Sequence, residues 1–584
     1  MTAKADFKGV SLSIPQWMIK FKDLKGVIDI DDEKITAAAL TGKFFGDPVK
    51  LSAKPDSKRK RTELHLVGNM HSRNLLTLTP DYLQQPVSGI SSWDLSVSLA
   101  HRPSAQVALL EISANSNLMG TELDFPRPAR LSKAQQKSLT FNALFFQQGD
   151  FTFDISLAGD LKVAGDMKLA EGVSDNLQWL NISLGRDNTI SNSRKGVTVG
   201  GKTDHINLND WFDYQKLYFP DGGQVSLPFL KKVNSLDLDI DRLFIGNQQA
   251  LNSKVKILND GKLLQGSIES KLVKGNFKIP YRMAVVKPFM ADLEYIKLKK
   301  PESTEKTKID INDMPNLFIK SKSVSFEAMN FTDFVLSSRS ETNKFFVEQL
   351  DFSSDDVKLK SSGYWQFEPK SKEHVSVFNI DIKGSDFGKT VNNLGLGESI
   401  QGSSVDFNGQ IGWGGELYSI NWPTLIGEVD LQLEDGYLRN VDPGAGRFVG
   451  LLSFNALPKR LFLDFGDVVR EGMQFNEIKG KFSIHGEIME TDNASMDSVS
   501  AKVKVKGETN LRQQTYDQTM TIIPKIGDTL PLLGAIAAGS TVGWGLLLIQ
   551  KLFNKPIEKS VEIEYKVTGS WQKPEVNLVE KSGS

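Results

Sequence analysis

The 584-residue chain contains no cysteine. Disulfide scaffolds, cysteine-ligated zinc and thiol chemistry are therefore excluded, which suits a bacterial envelope protein as well as a cytosolic one. Histidine is scarce too. His65, His71, His101, His205, His374 and His485 are scattered, with no HxxxH or HExxH spacing, so no metal site is expected. A net charge of −1 gives no electrostatic footprint for nucleic acid. There is no GxSxG elbow, and Pro443-Gly444-Ala445-Gly446-Arg447 lacks the closing Gly-Lys-Ser/Thr of a phosphate loop, so it reads as a turn. The expectation is a protein without catalytic residues, cofactor or nucleic-acid partner. The opening MTAKADFKGVSLSIPQW shows no apolar signal-peptide core, which leaves a cytosolic protein or a piece of a longer one.

What the chain does have is alternation of period two. Leu236-Asp237-Leu238-Asp239-Ile240-Asp241 and Val561-Glu562-Ile563-Glu564-Tyr565-Lys566-Val567 alternate without a break. Phe151–Leu157, Trp93–Leu99, Phe378–Ile382, Val429–Leu433 and Ala501–Lys506 repeat the pattern. Each puts apolar side chains on one face and polar ones on the other, as in a half-buried antiparallel strand. Turn signals at Asn259-Asp260-Gly261, Asp435-Gly436 and Asp221-Gly222-Gly223 punctuate them, and 48 glycines suit a chain that turns often. The fold class is mainly β. Helical pattern is confined to Gly446–Leu457 before Pro458, to the apolar stretch from Leu530 to Pro556, and to a short helix within Gly384–Leu396 starting from Ser385 or Asp386, while the N-terminus enters a strand pattern at once. The basic run Lys58-Arg59-Lys60-Arg61 reads as a soluble hairpin tip.

Pattern alone leaves two architectures open: tandem β-sandwiches of a structural or adhesion protein, and one long sheet. Specific residues favour the second. Trp422-Pro423, Gly427-Glu428-Val429-Asp430-Leu431, Asp435-Gly436, Pro443–Arg447, Gly450–Ser453, Leu457-Pro458-Lys459-Arg460-Leu461 and Leu463-Asp464-Phe465 occur in that order. Gly472, Phe475, Ile478-Lys479-Gly480, Thr568-Gly569-Ser570-Trp571 and Pro574 follow. From about Gly395 to Val576 the chain resembles the C-terminal region of YhdP-type proteins, members of the AsmA-like group of Gram-negative envelopes. The resemblance implies an elongated, twisted, largely antiparallel sheet curled into an open groove with an apolar interior. It also implies phospholipid transfer between inner and outer membranes and a location in the periplasm and cell envelope. A longer parent would be anchored in the inner membrane through an N-terminal helix absent from this chain.

On that reading 1–296 holds repeated β-groove units, 297–312 a charged loop or linker, and 313–394 a further unit. Residues 395–577 form the AsmA-like C-terminal region, and 578–584 a polar tail. The groove candidates are Leu236, Leu238, Ile240, Val429, Leu431, Leu433, Val561 and Ile563. One stretch breaks the pattern: no charge appears between Asp528 and Lys551. The segment 529–552 reads as apolar helix, with Leu530, Leu532, Leu533, Ile536, Trp544, Leu546, Leu547, Leu548, Ile549 and Lys551 as membrane-contacting candidates. A full span, a shallow insertion and a protein-packed helix are all compatible with it. The strands expected on both flanks favour insertion at an outer-membrane surface.

Overall fold

The computed structural model describes residues 2–579 apart from 15–18, 32–33, 77–80, 105, 148, 169–176, 186–192, 194, 219–231, 281–287, 300–308, 327–328, 394–399, 439–472, 500 and 526–561. The chain divides into two compact units, Met1–Val286 and Lys287–Ser584. Both are built almost wholly of strands.

In the first unit the strands pair in chain order from Thr2–Ile14 to Val273–Pro280. A short side strand, Thr121–Leu123, pairs with Val87–Ala100 outside that order. In the second unit the meander runs from Phe289–Leu298 to Lys573–Leu578. Lys573–Leu578 pairs only with Ile563–Ser570 among the described strands. Successive strands extend a sheet sideways, unlike the two facing sheets of a sandwich.

Most pairs are antiparallel because short turns join them. Gly196–Asn207 is the main exception, lying parallel to both Leu177–Leu184 and Val233–Ile245. A parallel neighbour needs a crossover, and the helix Leu208–Tyr218 lies in that connection. No helical expectation covered it. The short helix expected within Gly384–Leu396 is present as Phe387–Asn393, with the Asp386 carboxylate accepting from the Lys389 N–H at 2.9 Å.

Three other expectations need comment. The N-terminus, expected to enter a strand pattern at once, is the strand Thr2–Ile14, paired with Ile19–Asp31. Asp435-Gly436 does not turn the chain. Both sit inside Ile426–Leu438, where Asp435 has φ +52° and drops out of the pairing on both sides while the register stays unchanged. Asn259-Asp260-Gly261 does mark a turn. The Asp260 carboxylate accepts from the Lys262 and Leu263 N–H groups at 2.8 Å each, and these bonds hold its pKa down at about 2. The helix expected at Gly446–Leu457 and the turn at Asp221–Gly223 lie outside the described residues. Lys58-Arg59-Lys60 occupies the turn between Asp47–Asp56 and Arg61–His71. Arg61 itself is buried, its guanidinium 2.9 Å from Glu111.

Glycine and phenylalanine meet across strands repeatedly. Phe153 pairs with Gly165, Phe277 with Gly266, Phe378 with Gly363 and Phe475 with Gly436. At each glycine an added Cβ would lie 2.4–2.7 Å from an atom of that ring. The ring lies over the bare backbone, which shields a strand glycine that otherwise contributes nothing to packing.

A charged clamp ties Asp47–Asp56 to the end of Arg61–His71. The Asp47 carboxylate, 6% exposed, is 2.6 Å from His71 Nδ1. It also accepts from the His71 N–H at 2.9 Å and from Asn74 Nδ2 at 3.1 Å. Burial pushes the Asp47 pKa up, but the His71 and Asn74 bonds together outweigh it and hold the carboxyl below its usual value. A depressed carboxylate stabilises the fold fully above its unfolded pKa of about 3.9, and that contribution disappears as pH falls through the lower folded value. Asp47→Asn is therefore expected to lower the urea midpoint at pH 6, with the two proteins converging as pH falls through the lowered folded-state value of Asp47. A constant gap down to pH 2 would show that the carboxylate charge is irrelevant to the clamp.

Candidate functional site

Register turns the alternation of single strands into rows that cross whole sheets, since residues paired between strands share a face. In the first unit one row begins Leu40, Leu51, Leu66, Leu95, Ala114. It continues through Phe141, Ile155, Val163, Ile182 and Val199. Leu236, Ile257, Gly266 and Phe277 complete it. No member is polar across fourteen strands, a distance of roughly 60 Å at ~4.8 Å per step.

One residue along, on the opposite face, the row reads Thr41, Lys50, Val67, Asp94, Asn115, Thr140 and Ser156. Lys162, Ser183, Gly200, Asp237, Lys256, Ser267 and Asn276 extend it. Lys256 pairs with Asp237 at 3.2 Å, and His65 Nε2 lies 2.8 Å from the Asp94 carboxylate. Exposed pairs of this kind contribute about 0–1 kcal/mol each. They keep that face wet and the register single.

The second unit has the same grain. Val405, Leu433, Ile478, Met496, Val503, Ile522 and Ile563 form one apolar row. Leu359, Ile382, Phe407 and Leu431 form another. Beside them Asp351, Lys360, Asp381, Asn408, Asp430 and Lys481 line up on the opposite face. That polar row contributes to an open depression of about 740 Å³.

The two apolar faces differ in exposure. Leu433, Ile478, Met496, Val503 and Ile522 are at most 2% exposed. In the first unit Leu40, Leu51, Leu66, Leu95 and Ala114 are buried, whereas Phe141, Ile155, Val163, Ile182, Val199, Leu236 and Ile257 are half-buried. Phe145, Phe151 and Phe153 add a run of rings beside the open part, Phe145 stacked on Phe151 at 5.0 Å. A long apolar surface partly open to solvent is the arrangement that accepts apolar chains.

Of the groove candidates, Leu236, Leu238 and Ile240 share one face, the latter two buried, with Asp237 and Asp239 exposed on the other. Val429, Leu431 and Leu433 do the same, with Glu428 and Asp430 exposed. Ile563 lies in the same row as Leu433. Val561 is outside the described residues. So are the membrane-contacting candidates Leu530, Leu532, Leu533, Ile536, Trp544, Leu546, Leu547, Leu548, Ile549 and Lys551. Among the described residues no helix is long and apolar enough to cross a membrane. The half-buried residues from Phe141 to Val199 were not among the candidates. Phe151–Leu157 carried the same alternation, but nothing local says which apolar faces stay open.

A family model described as YhdP protein matches residues 1–576, starting well upstream of the stretch that carries the sequence resemblance. The intermembrane phospholipid transporter YhdP of Escherichia coli (strain K12) is 23% identical over 615 residues, covering 99% of this chain and 46% of the relative. The chain thus spans about half the length of the curated relative it matches. Family membership follows from the extent of the match: the chain belongs to the YhdP protein family.

Proposed function

We propose that the chain carries phospholipids along its apolar face, as part of a track between the inner and outer membranes of a Gram-negative envelope. The observation that carries this reading is the apolar row across fourteen strands, half-open from Phe141 to Ile257. A phospholipid has about 30 methylenes, and at ~0.8 kcal/mol each their removal from a membrane into water costs ~20 kcal/mol. An apolar surface that accompanies the acyl chains removes most of that barrier without chemistry, so no enzyme activity or cofactor is invoked. Headgroups stay in solvent, while Leu236, Leu238, Ile240, Val429, Leu431, Leu433 and the Val561–Ile563 strand supply further acyl contacts. The reading locates the chain in the periplasm and extends the groove through 1–296, 313–394 and the 395–577 region. The relative's name, an intermembrane phospholipid transporter, supports the substrate.

The proposal includes a membrane-touching end at 529–552. Thr515–Pro524 and Ile563–Ser570 pair antiparallel, with Ile522 opposite Ile563. A single bilayer crossing between them would put two hydrogen-bonded strands on opposite sides of a membrane. Shallow insertion into the outer membrane avoids that conflict.

Organic extraction of the purified chain followed by mass spectrometry is expected to yield at least one phospholipid per chain. Lipid-free protein would remove the proposal. In liposome flotation the chain is expected to float and a Thr529–Gln550 deletion to stay at the bottom; equal flotation would reject the membrane-touching end alone.

A further inference from the structure

The row in the first unit changes from buried to half-open between Ala114 and Phe141. The segment 117–138 lies between the two strands that carry those residues. It is not a simple connection. Leu118 and Leu131, 2% and 1% exposed, pack into the same apolar cluster as Leu66, Met70, Trp93, Leu95 and Leu157. The segment therefore contributes two buried side chains to the apolar cluster on that side of the row.

Its attachment is unlike the rest of the sheet. Thr121, fully buried, bonds through its hydroxyl to Ser72 and, at 3.0 Å, to Ser91. Ser116 Oγ reaches Ser91 Oγ at 3.4 Å and accepts from the Leu118 N–H at 3.0 Å. Ser91 and Ser116 belong to the apolar face, since Ser116 pairs with Trp93 and Ser91 lies two residues before it. Next to this hydroxyl cluster the buried Trp93 Nε1 has no hydrogen-bond partner among the described residues. Backbone contact is equally local. Gly120 has φ +91°, and a Cβ there would fall 2.3 Å from the Ile90 carbonyl oxygen. Three register pairs, Val87–Leu123, Ser88–Glu122 and Gly89–Thr121, join the segment to the main strands, and the Asp124 N–H donates to the Pro86 carbonyl at 2.9 Å. The outer part of the segment touches the helix Leu208–Tyr218 through Trp211 Nε1 on the Arg127 carbonyl and Tyr214 beside Phe125.

We propose that residues 117–138 form a strap that opens and closes the apolar track, latched by the Thr121–Ser72–Ser91–Ser116 hydroxyls. This rests on the lipid-track reading. A latch of hydroxyls on an apolar floor can exchange partners with water or lipid oxygens, and lifting it gives the Trp93 N–H an acceptor. The two inserted leucines return the strap to the same floor when no acyl chain occupies it.

The cysteine-free chain permits a direct test. Ser88→Cys with Glu122→Cys places two cysteines at a paired position, within reach of a disulfide. Hydrogen exchange on the intact chain should show 117–138 opening at least tenfold faster than Leu110–Ser116 and Leu139–Phe145, and oxidation should abolish the difference. Equal protection of strap and flanking strands in the reduced protein would overturn the strap. Transfer of labelled phosphatidylethanolamine between phosphatidylethanolamine–phosphatidylglycerol vesicles should fall at least fivefold on oxidation and recover with reductant. Thr121→Val, which keeps the bulk and removes the hydroxyl, should raise it about twofold. If wild type transfers lipid and oxidation changes nothing, the gate is wrong and the track stands. If wild type transfers none, the track is wrong, and the exchange result alone decides whether the strap opens.

Discussion

Val163→Asp is expected to reduce the phospholipid carried per chain at least fivefold, while Lys162→Asp leaves it within twofold. The two substitutions introduce the same carboxylate one residue apart. Val163 lies in the apolar row between Ile155 and Ile182, half-buried. Lys162 is exposed on the opposite face between Ser156 and Ser183. A charge on the apolar row keeps a water shell that an acyl chain must displace, at a cost of several kcal/mol, and it interrupts the row where it is open. On the polar face it joins other charges. Leu238→Asp and Leu431→Asp, compared with Asp239→Leu and Asp430→Leu, should give the same asymmetry. Those leucines are each 5% exposed, so their replacement also strains the fold. Val163 separates carriage from folding better. Equal lipid loss from Val163→Asp and Lys162→Asp, measured by extraction and mass spectrometry, would reject a one-faced track.

The largest effect on stability is expected from Phe475→Ala, about 3–5 kcal/mol. Phe475 is fully buried, and its ring lies over Gly436, where an added Cβ would meet the ring tip at 2.5 Å and Ser403 Cβ at 2.8 Å. Gly436 and Phe475 are directly paired across the two strands. Gly436→Ala should therefore cost about 1–3 kcal/mol by overpacking. Combining it with Phe475→Ala should recover part of that cost, because the methyl enters the space the ring leaves. Urea unfolding of the four proteins measures the cycle. Strictly additive costs would mean that the ring and the glycine do not pack as a unit.

Much of this protein is local in origin. Alternation in Leu236–Asp241, Val429–Leu433 and Ala501–Lys506 states which side chains face in, because successive Cβ atoms point to opposite faces whatever the partner strand. The lack of cysteine and of any histidine or serine motif removed the common chemistries. The Asp260 turn and the Asp386 helix cap were legible because each is completed within three residues. Asp435-Gly436 misled for the opposite reason: the same dipeptide can turn the chain or sit inside a strand, and the neighbouring strands that pair with it decide which.

Sequence by itself therefore determined a β protein with one apolar and one polar face per strand, and its resemblance to a lipid-transfer family. Tertiary structure alone decided that those faces join into uninterrupted rows, that the row is half-buried from Phe141 to Ile257, and that Leu118 and Leu131 of 117–138 pack into the buried part before it. The physical reason is range. Side-chain direction is set by each residue's own backbone, whereas register and cover depend on partners tens of residues away.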